Sequence, residues 1–530
     1  MRPRHLGLAA LLVALFGAGF LAGKSPATGD SSYRSLDAFV EVLDKVERNY
    51  VDPVKPDQLV NGAIDGMIKR LDPFSQYLDK AEFADLKTFT EGQFGGLGIV
   101  ISVRENYPTV ISPVEGTPAY SLGIQSGDVI VKIDGVSTRG YSSEDAVKKL
   151  RGPEGTPVTI TIARDEEPAR DVQITRELIH VKSVPYAFEV APGVGYLRVS
   201  SFAETTGDEV RAAIERLDKA GVKSLVLDLR DNPGGLLNQA VDVVENFVPK
   251  GSLVVFTKGR AAGSNTKIYA ETSRAHDTRP LVVLINGGSA SASEIVAGAI
   301  QDLDRGLLVG TTSFGKGSVQ SLIELRDKGT ALKLTTAKYY TPSGRSIHRD
   351  VWNRLAHDGS DAADEAAFEE GVDSLDGGAA APDSARRPTF KTRAGRLVYG
   401  GGGITPDQVV KPDTLQPVSR EVERKGLFFK YATRYAGQHK GQPAPTSVTP
   451  AMWGEFEALL AESKVPGKAE PERAYLERGM RRELARRMGG AKGDEAAFKV
   501  AIESDRQLAR ALELLKRAKS PGELVRLTAR

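Results

Sequence analysis

Three apolar runs in the middle of the chain each end in a glycine-rich turn: "SLVLDLRDNPGG", "PLVVLINGGSASASEIVAGAIQD" and "GLLVGTTSFGKGSVQ". Short aliphatic runs without alternating polarity read as strands buried on both faces. Helical spacing lies between them. Val210, Ala213, Ile214 and Leu217 precede the first run, Leu237, Ala240, Val241 and Val244 follow it, and Ile295, Val296, Ala299, Ile300 and Leu303 follow the second. This alternation predicts an α/β domain over residues 182–350 with a largely buried sheet. Because each turn follows a strand, the three turns are expected to gather at the C-terminal ends of those strands, where α/β sheets place ligands.

The flanking segments read differently. Residues 31–91 are helical: "LDAFVEVLDKVERNYVDP" sets Leu36, Phe39, Val40, Leu43 and Val46 on one face and ends at Pro53, and a second helix is expected over residues 59–71. Residues 92–181 carry short β-like runs with glycine turns and one helix, "SSEDAVKKLRG". Ser142 or Ser143 suits its N-cap, with Ala146, Val147 and Leu150 inward. Residues 351–388 are acidic and rich in Ala, Gly and Ser, the composition of a disordered insertion. Order is expected to return over residues 389–417 with "GRLVYGGGGITPD", rejoining the α/β domain, and residues 418–530 are helical and highly charged. Helices at either end are candidates for a homodimer contact.

At the N-terminus, Arg2, Arg4 and His5 precede an uncharged stretch, residues 6–23, the mark of an export signal or signal anchor within residues 1–30. A stretch of about 18 residues just spans a bilayer, and no clear A-x-A site follows. The expectation is an uncleaved inner-membrane anchor with the bulk of the chain in the periplasm or otherwise outside the cytoplasm. The chain has no cysteine, which excludes a disulfide framework, a thiol nucleophile and a Cys-ligated zinc site. Lys plus Arg number 71 against 69 Asp plus Glu, so nothing points to a nucleic-acid partner.

A hydrolytic serine in the second turn needs a base. The histidines are His5, His180, His276, His348, His357 and His439, and none adjoins a glycine-rich turn in sequence. Lysine does the same work once its ammonium is desolvated, because burial disfavours the charged form. The third turn offers Lys316 between two glycines, with Gln320 four residues on, sharing its face in a helix or a strand. A serine at a helix start has backbone N–H groups beside it for an oxyanion, and Gly234 or Gly235 could supply a second donor. Spacing alone does not choose among Ser289, Ser291 and Ser293. Ser313 and Lys316 also read S-x-x-K, but that dyad needs a helix and glycines flank this lysine.

"DLRDNPGG", "NGGSASASEIVAGAIQD", "GTTSFGKGSVQ" and "YYTPSGRSI", in this order, resemble the carboxyl-terminal processing proteases, also called tail-specific proteases. The β module is similar to the PDZ domain these enzymes carry, with "GGLGI" and "GIQSGDVIVKIDG" as its marks. The resemblance implies an α/β protease core of the crotonase-like or ClpP-like ββα arrangement, with a PDZ domain and helical N- and C-terminal regions. It implies Ser291 as nucleophile, Lys316 as base and Gln320 as the residue holding the lysine. Oxyanion donors would be the N–H of Ala292 with Gly234 or Gly235. Leu97, Gly98 and Ile99 would bind the terminal carboxylate of protein substrates, and Arg151 would link capture to catalysis. No metal or cofactor is implied. The rival reading, a non-catalytic PDZ scaffold, would be favoured by loss of Ser291, Lys316 or Gln320, and all three are present. The acidic insertion and the long C-terminal region depart from the family pattern.

Overall fold

The computed structural model describes residues 29–164, 167–326, 329–349 and 387–527. The N-terminal apolar run and nearly all of the acidic insertion lie outside the described residues. Among the described residues no helix is long and apolar enough to cross a membrane. The described residues fall into two compact units, one ending at Asp72 and the other beginning at Pro73. In the first, α1 (Gly29–Asn49) stops ahead of Pro53, and α2 (Pro56–Lys69) begins at Pro56, three residues earlier than expected. Proline suits that position, since its missing N–H would be unpaired in a first turn anyway. Leu36, Phe39 and Val40 of α1 are exposed.

Early in the second unit, after a short strand Gln76–Leu78, comes α3 (Lys80–Glu91), started by a reciprocal cap between Asp79 and Glu82. The β module follows: β1 (Gln93–Gly96), β2 (Ile99–Arg104), β3 (Tyr107–Pro113), β4 (Val129–Ile133), α4 (Ser143–Leu150), β5 (Pro157–Ala163), β6 (Arg170–Thr175) and β7 (Glu177–His180). Its sheet runs β2-β3-β4-β5-β6, all antiparallel, and β1 pairs with β7. Alternation turns Val158, Ile160 and Ile162 of β5 and Val172 and Ile174 of β6 into one core. Ser142 is the N-cap of α4, exchanging hydrogen bonds with Asp145.

The α/β domain contains β8 (Tyr186–Ala191), β9 (Val194–Arg198), α5 (Thr206–Lys219), β10 (Ser224–Asp228), α6 (Leu237–Glu245), β11 (Leu253–Gly259), β12 (Leu281–Ile285), α7 (Ala292–Asp302), β13 (Leu307–Gly310), β14 (Ser318–Glu324), β15 (Ala331–Tyr340) and β16 (Gln408–Val409). The main sheet has the order β8-β9-β10-β12-β13-β16 and is antiparallel only between β8 and β9. A second sheet joins β15 to β14, β11 and the short strand Gln76–Leu78. Arg345 and Asp302 form a fully buried ion pair at 2.7 Å that ties the segment after β15 to the end of α7.

The C-terminal region comprises α8 (Pro417–Arg424), α9 (Leu427–Gln438), α10 (Pro450–Glu462), α11 (Arg473–Met488), α12 (Gly493–Ile502), α13 (Arg506–Lys516) and α14 (Pro521–Arg526). Helices α8 to α11 pack around Phe428, Trp453, Phe456 and Met480. Helices α13 and α14 instead cover the main sheet. On the main sheet, Leu225, Leu227, Leu281, Val283 and Leu308 face α5, α6 and α7, while Val226, Val282, Leu284, Leu307 and Val309 face Leu508, Ala511, Leu514, Leu524 and Val525. The end of the C-terminal region is thus the outer layer of the α/β sandwich, without which one face of the sheet would meet water.

Candidate active site

Strands β10, β12 and β13 are parallel neighbours, so the turns that follow them share one end of the sheet. In the middle turn, Ser289 Oγ donates to the Leu229 carbonyl at 2.8 Å and accepts the Asn286 N–H at 3.0 Å. Ser293 Oγ donates to the Asn232 carbonyl at 2.9 Å. Both hydroxyls stitch the first turn to the second. Ser291 differs: its backbone sits at φ 53° and ψ −111°. Holding a non-glycine residue there costs about 1–3 kcal/mol, a strain that persists only where surrounding contacts impose it.

Glu294, one turn into α7, imposes it. Its Oε2 accepts the N–H of Ser291 and the N–H of Lys316, both at 2.9 Å. Its Oε1 accepts the Gly315 N–H at 2.7 Å and the Ser313 hydroxyl at 2.5 Å. One buried carboxylate therefore joins the serine turn to the lysine turn. Burial pushes its pKa above the ordinary 4.5, against the four donated hydrogen bonds, which favour the ionised form. Ser313 Oγ also accepts the Ile404 N–H at 2.6 Å, so this hydroxyl is a strut linking "GGGGITPD" to the site. The Tyr339 hydroxyl lies 2.5 Å from the Lys316 carbonyl and 3.1 Å from that of Ser291, bridging the same two residues again. Burial, then the Glu294 charge, raises the Tyr339 pKa well above 10 and keeps its donor proton in place.

Lys316 Nζ sits 5.1 Å over the Phe74 ring. Arg349 braces its turn, donating to the carbonyls of Phe314 at 2.5 Å and Ser313 at 2.9 Å. Gln320 is placed differently from the expectation. Its amide donates to Ser318 Oγ at 2.9 Å and Thr335 Oγ1 at 3.3 Å, not to Lys316. The face-sharing argument assumed regular geometry, whereas Lys316 precedes β14 and the register shifts between Val319 and Gln320. His348, remote in sequence, packs its backbone against Gly317. The expectation that no histidine adjoins a glycine-rich turn thus holds along the chain and not in space.

The first turn completes the arrangement. Asn232 accepts the Gly234 N–H at 2.9 Å on its side chain and the Ala290 N–H at 3.0 Å on its carbonyl. Among the described residues the N–H groups of Gly235 and Ala292 donate no hydrogen bond, so Gly235 is the glycine with a donor to offer. Gly234, at φ +102°, lies where a Cβ would come within 2.8 Å of both the Ala290 carbonyl oxygen and Ser291 Cβ. Gly234→Ala is expected to displace Ser291 and lower kcat about 100-fold or more, measured on the folded variant by peptide cleavage. Activity within threefold of wild type would show that this contact is slack.

In the β module, Gly98 has φ +76°, and a Cβ there would strike the Thr117 side chain at 2.2 Å. The N–H groups of Leu97 and Gly98 donate no hydrogen bond among the described residues, while their carbonyls accept from Ala119 and Val114. Ile99 begins β2. Arg151, the C-cap of α4, lies 4.3 Å over the Phe94 ring and pairs with Asp85 of α3 at 3.3 Å. The residues that join these turns and were missed in the sequence are Glu294, Tyr339 and Asn232. Only Glu294 had a local signal: S-x-x-E over residues 291–294 marks a helix start, and its carboxylate does reach back to the Ser291 N–H.

Three family models match the chain: peptidase family S41 over residues 193–353, a PDZ domain over residues 109–164, and the activating protease CtpB N-terminal domain over residues 22–82. The carboxy-terminal-processing protease of Bartonella bacilliformis is 45% identical over 60% of this chain and 73% of its own length. The carboxy-terminal processing protease CtpA of Bacillus subtilis is 37% identical over 62% and 69%. Among solved structures, the photosystem II D1 C-terminal processing protease is 31% identical over 58% of this chain and 89% of its own, with a TM-score of 0.35. With its S41 core, its PDZ domain and these relatives, the chain belongs to the carboxy-terminal processing proteases, a family of serine peptidases.

Proposed function

We propose that the chain cleaves proteins recognised by their C-terminal tails, with Ser291 as nucleophile and Lys316 as base. Neutral Lys316 takes the Ser291 hydroxyl proton as Oγ attacks the scissile carbonyl, and the developing oxyanion is held by the N–H groups of Ala292 and Gly235. Collapse breaks the C–N bond, and the lysine returns the proton to the leaving amine. Water then hydrolyses the acyl-enzyme. The observation that carries this reading is the shared Glu294 oxygen, which takes the Ser291 and Lys316 N–H groups at the same 2.9 Å. Two turns separated in sequence meet on one atom.

The tail is bound at Leu97, Gly98 and Ile99, whose N–H groups suit a carboxylate while the peptide lies along the module as an added strand. The basic flank and apolar run of residues 1–23 support an exported protein anchored in the inner membrane and acting in the periplasm. Peptides ending in a free carboxylate or in the corresponding amide, followed by mass spectrometry, test recognition. The free acid should be cut upstream of its end with KM at least about tenfold lower, the worth of one charge-assisted contact. Equal KM for the two would remove the tail from the mechanism.

A further inference from the structure

Arg230 stands at the start of the first glycine turn, and its side chain leaves the α/β domain. Its Nε donates to Asp228 Oδ1 at 2.9 Å and its Nη2 to Asp228 Oδ2 at 2.6 Å. Its remaining nitrogen, Nη1, reaches the C-terminal region, 2.6 Å from Asp505 Oδ2 and 2.9 Å from Gln507 Oε1. The three charged side chains are largely dry, with exposure of 12% for Arg230, 15% for Asp505 and none for Asp228. Asp228 is also held by the Tyr196 hydroxyl at 2.5 Å. Gln507 is fixed in turn, its amide donating to the Val410 carbonyl at 2.7 Å. A guanidinium with all three nitrogens engaged in a buried fork has little freedom, and the backbone leaving it runs directly into Asp231, Asn232 and the two glycines.

We infer that Asp505 and Gln507 are positioning residues for peptide cleavage: through Arg230 they hold the turn that presents the Gly235 N–H to the oxyanion. The C-terminal region thereby completes the site without touching substrate. The inference rests on the proposed Ser291 and Lys316 chemistry. Helix α13 carries two jobs at one residue, because Asp505 Oδ1 also caps it, accepting the N–H groups of Gln507 at 2.9 Å and Leu508 at 3.0 Å. The two jobs separate chemically. Asparagine is as good an N-cap as aspartate but offers Arg230 no charge.

The test uses the full chain carrying Asp505→Asn with Gln507→Ala, beside wild type and Asp413→Asn, which removes only the exposed Arg506–Asp413 contact. Steady-state cleavage of a tailed peptide is measured with inhibition by a peptide boronate, whose tetrahedral adduct uses the oxyanion donors as the transition state does. Losing one such donor outright costs about 100-fold or more, so a donor displaced rather than removed is expected to cost about tenfold. The double variant should show kcat down about tenfold, KM within twofold, and boronate affinity weakened by the same factor as kcat. Asp413→Asn should match wild type. An unchanged kcat in the double variant overturns the inference, and so does a fall in kcat with boronate affinity unchanged, since that pattern reports lost folded enzyme. A wild type that cleaves no tailed peptide overturns the proposed function and this inference together, whereas an active wild type beside an equally active double variant overturns the inference alone.

Discussion

Ser291→Ala and Lys316→Arg, each purified as the full chain, should lose peptide cleavage by about 10⁴-fold or more, the scale on which nucleophile and base act as one unit. The two substitutions ask different questions. Alanine removes the attacking oxygen while accepting the same backbone, so the strain at φ 53° stays as it was and stability should change by less than about 0.5 kcal/mol. Arginine keeps a long cationic stem over Phe74 but is never deprotonated near neutral pH, so it cannot take a proton. Activity surviving in Lys316→Arg would place the base elsewhere, and His348, packed beside Gly317, would be the first residue to examine. Mass spectrometry of digests and thermal melts of the same samples read both outcomes.

Glu294→Gln should also be damaging, to a smaller degree, although Glu294 touches no substrate. All four of its partners donate: the N–H groups of Ser291, Gly315 and Lys316 and the hydroxyl of Ser313. An amide has one accepting oxygen, and its NH₂ must face two of those donors. Each buried N–H left without an acceptor costs about 1–3 kcal/mol, enough to let the serine and lysine turns part. The expected loss in kcat is about 100-fold or more, with Glu294→Asp, shorter but still a pure acceptor, falling between. Activity of Glu294→Gln within tenfold of wild type would show that the carboxylate does not hold the two turns. A pH series adds a sign. Burial raises the Glu294 pKa in the folded state, so its contribution to stability is complete below the ordinary value of 4.5 and declines as pH rises through the folded value. The variant should lack that decline in urea titrations run from about pH 4 to pH 8.

The cap of α4, the end of α1 and the buried character of the main sheet were readable because each depends on local chemistry. Ser142 with Asp145 and Pro53 after α1 act within a few residues, and the buried runs of β10, β12 and β13 announce a parallel sheet through composition alone. The start of α2 was missed by three residues because the apolar spacing begins after the proline that opens the helix. Gln320 shows where periodicity fails. A bulge of one residue turns a side chain to the other face, and nothing in "GKGSVQSLIE" announces it.

What the amino-acid sequence determined by itself is the class of chemistry: a serine on a glycine-lined helix start, a lysine in a later turn, a β module before them, and the family these motifs spell. The tertiary structure alone decided how they are held. Glu294 receives both turns, Gly234 has its N–H taken by Asn232 while Gly235 keeps its own, and Arg230 finds Asp505 at a separation of 275 residues. The reason is physical. Strand and helix signals are carried by neighbours along the chain, but a buried hydrogen bond needs a partner of the right polarity at about 3 Å, and only the packed sheet brings such partners together.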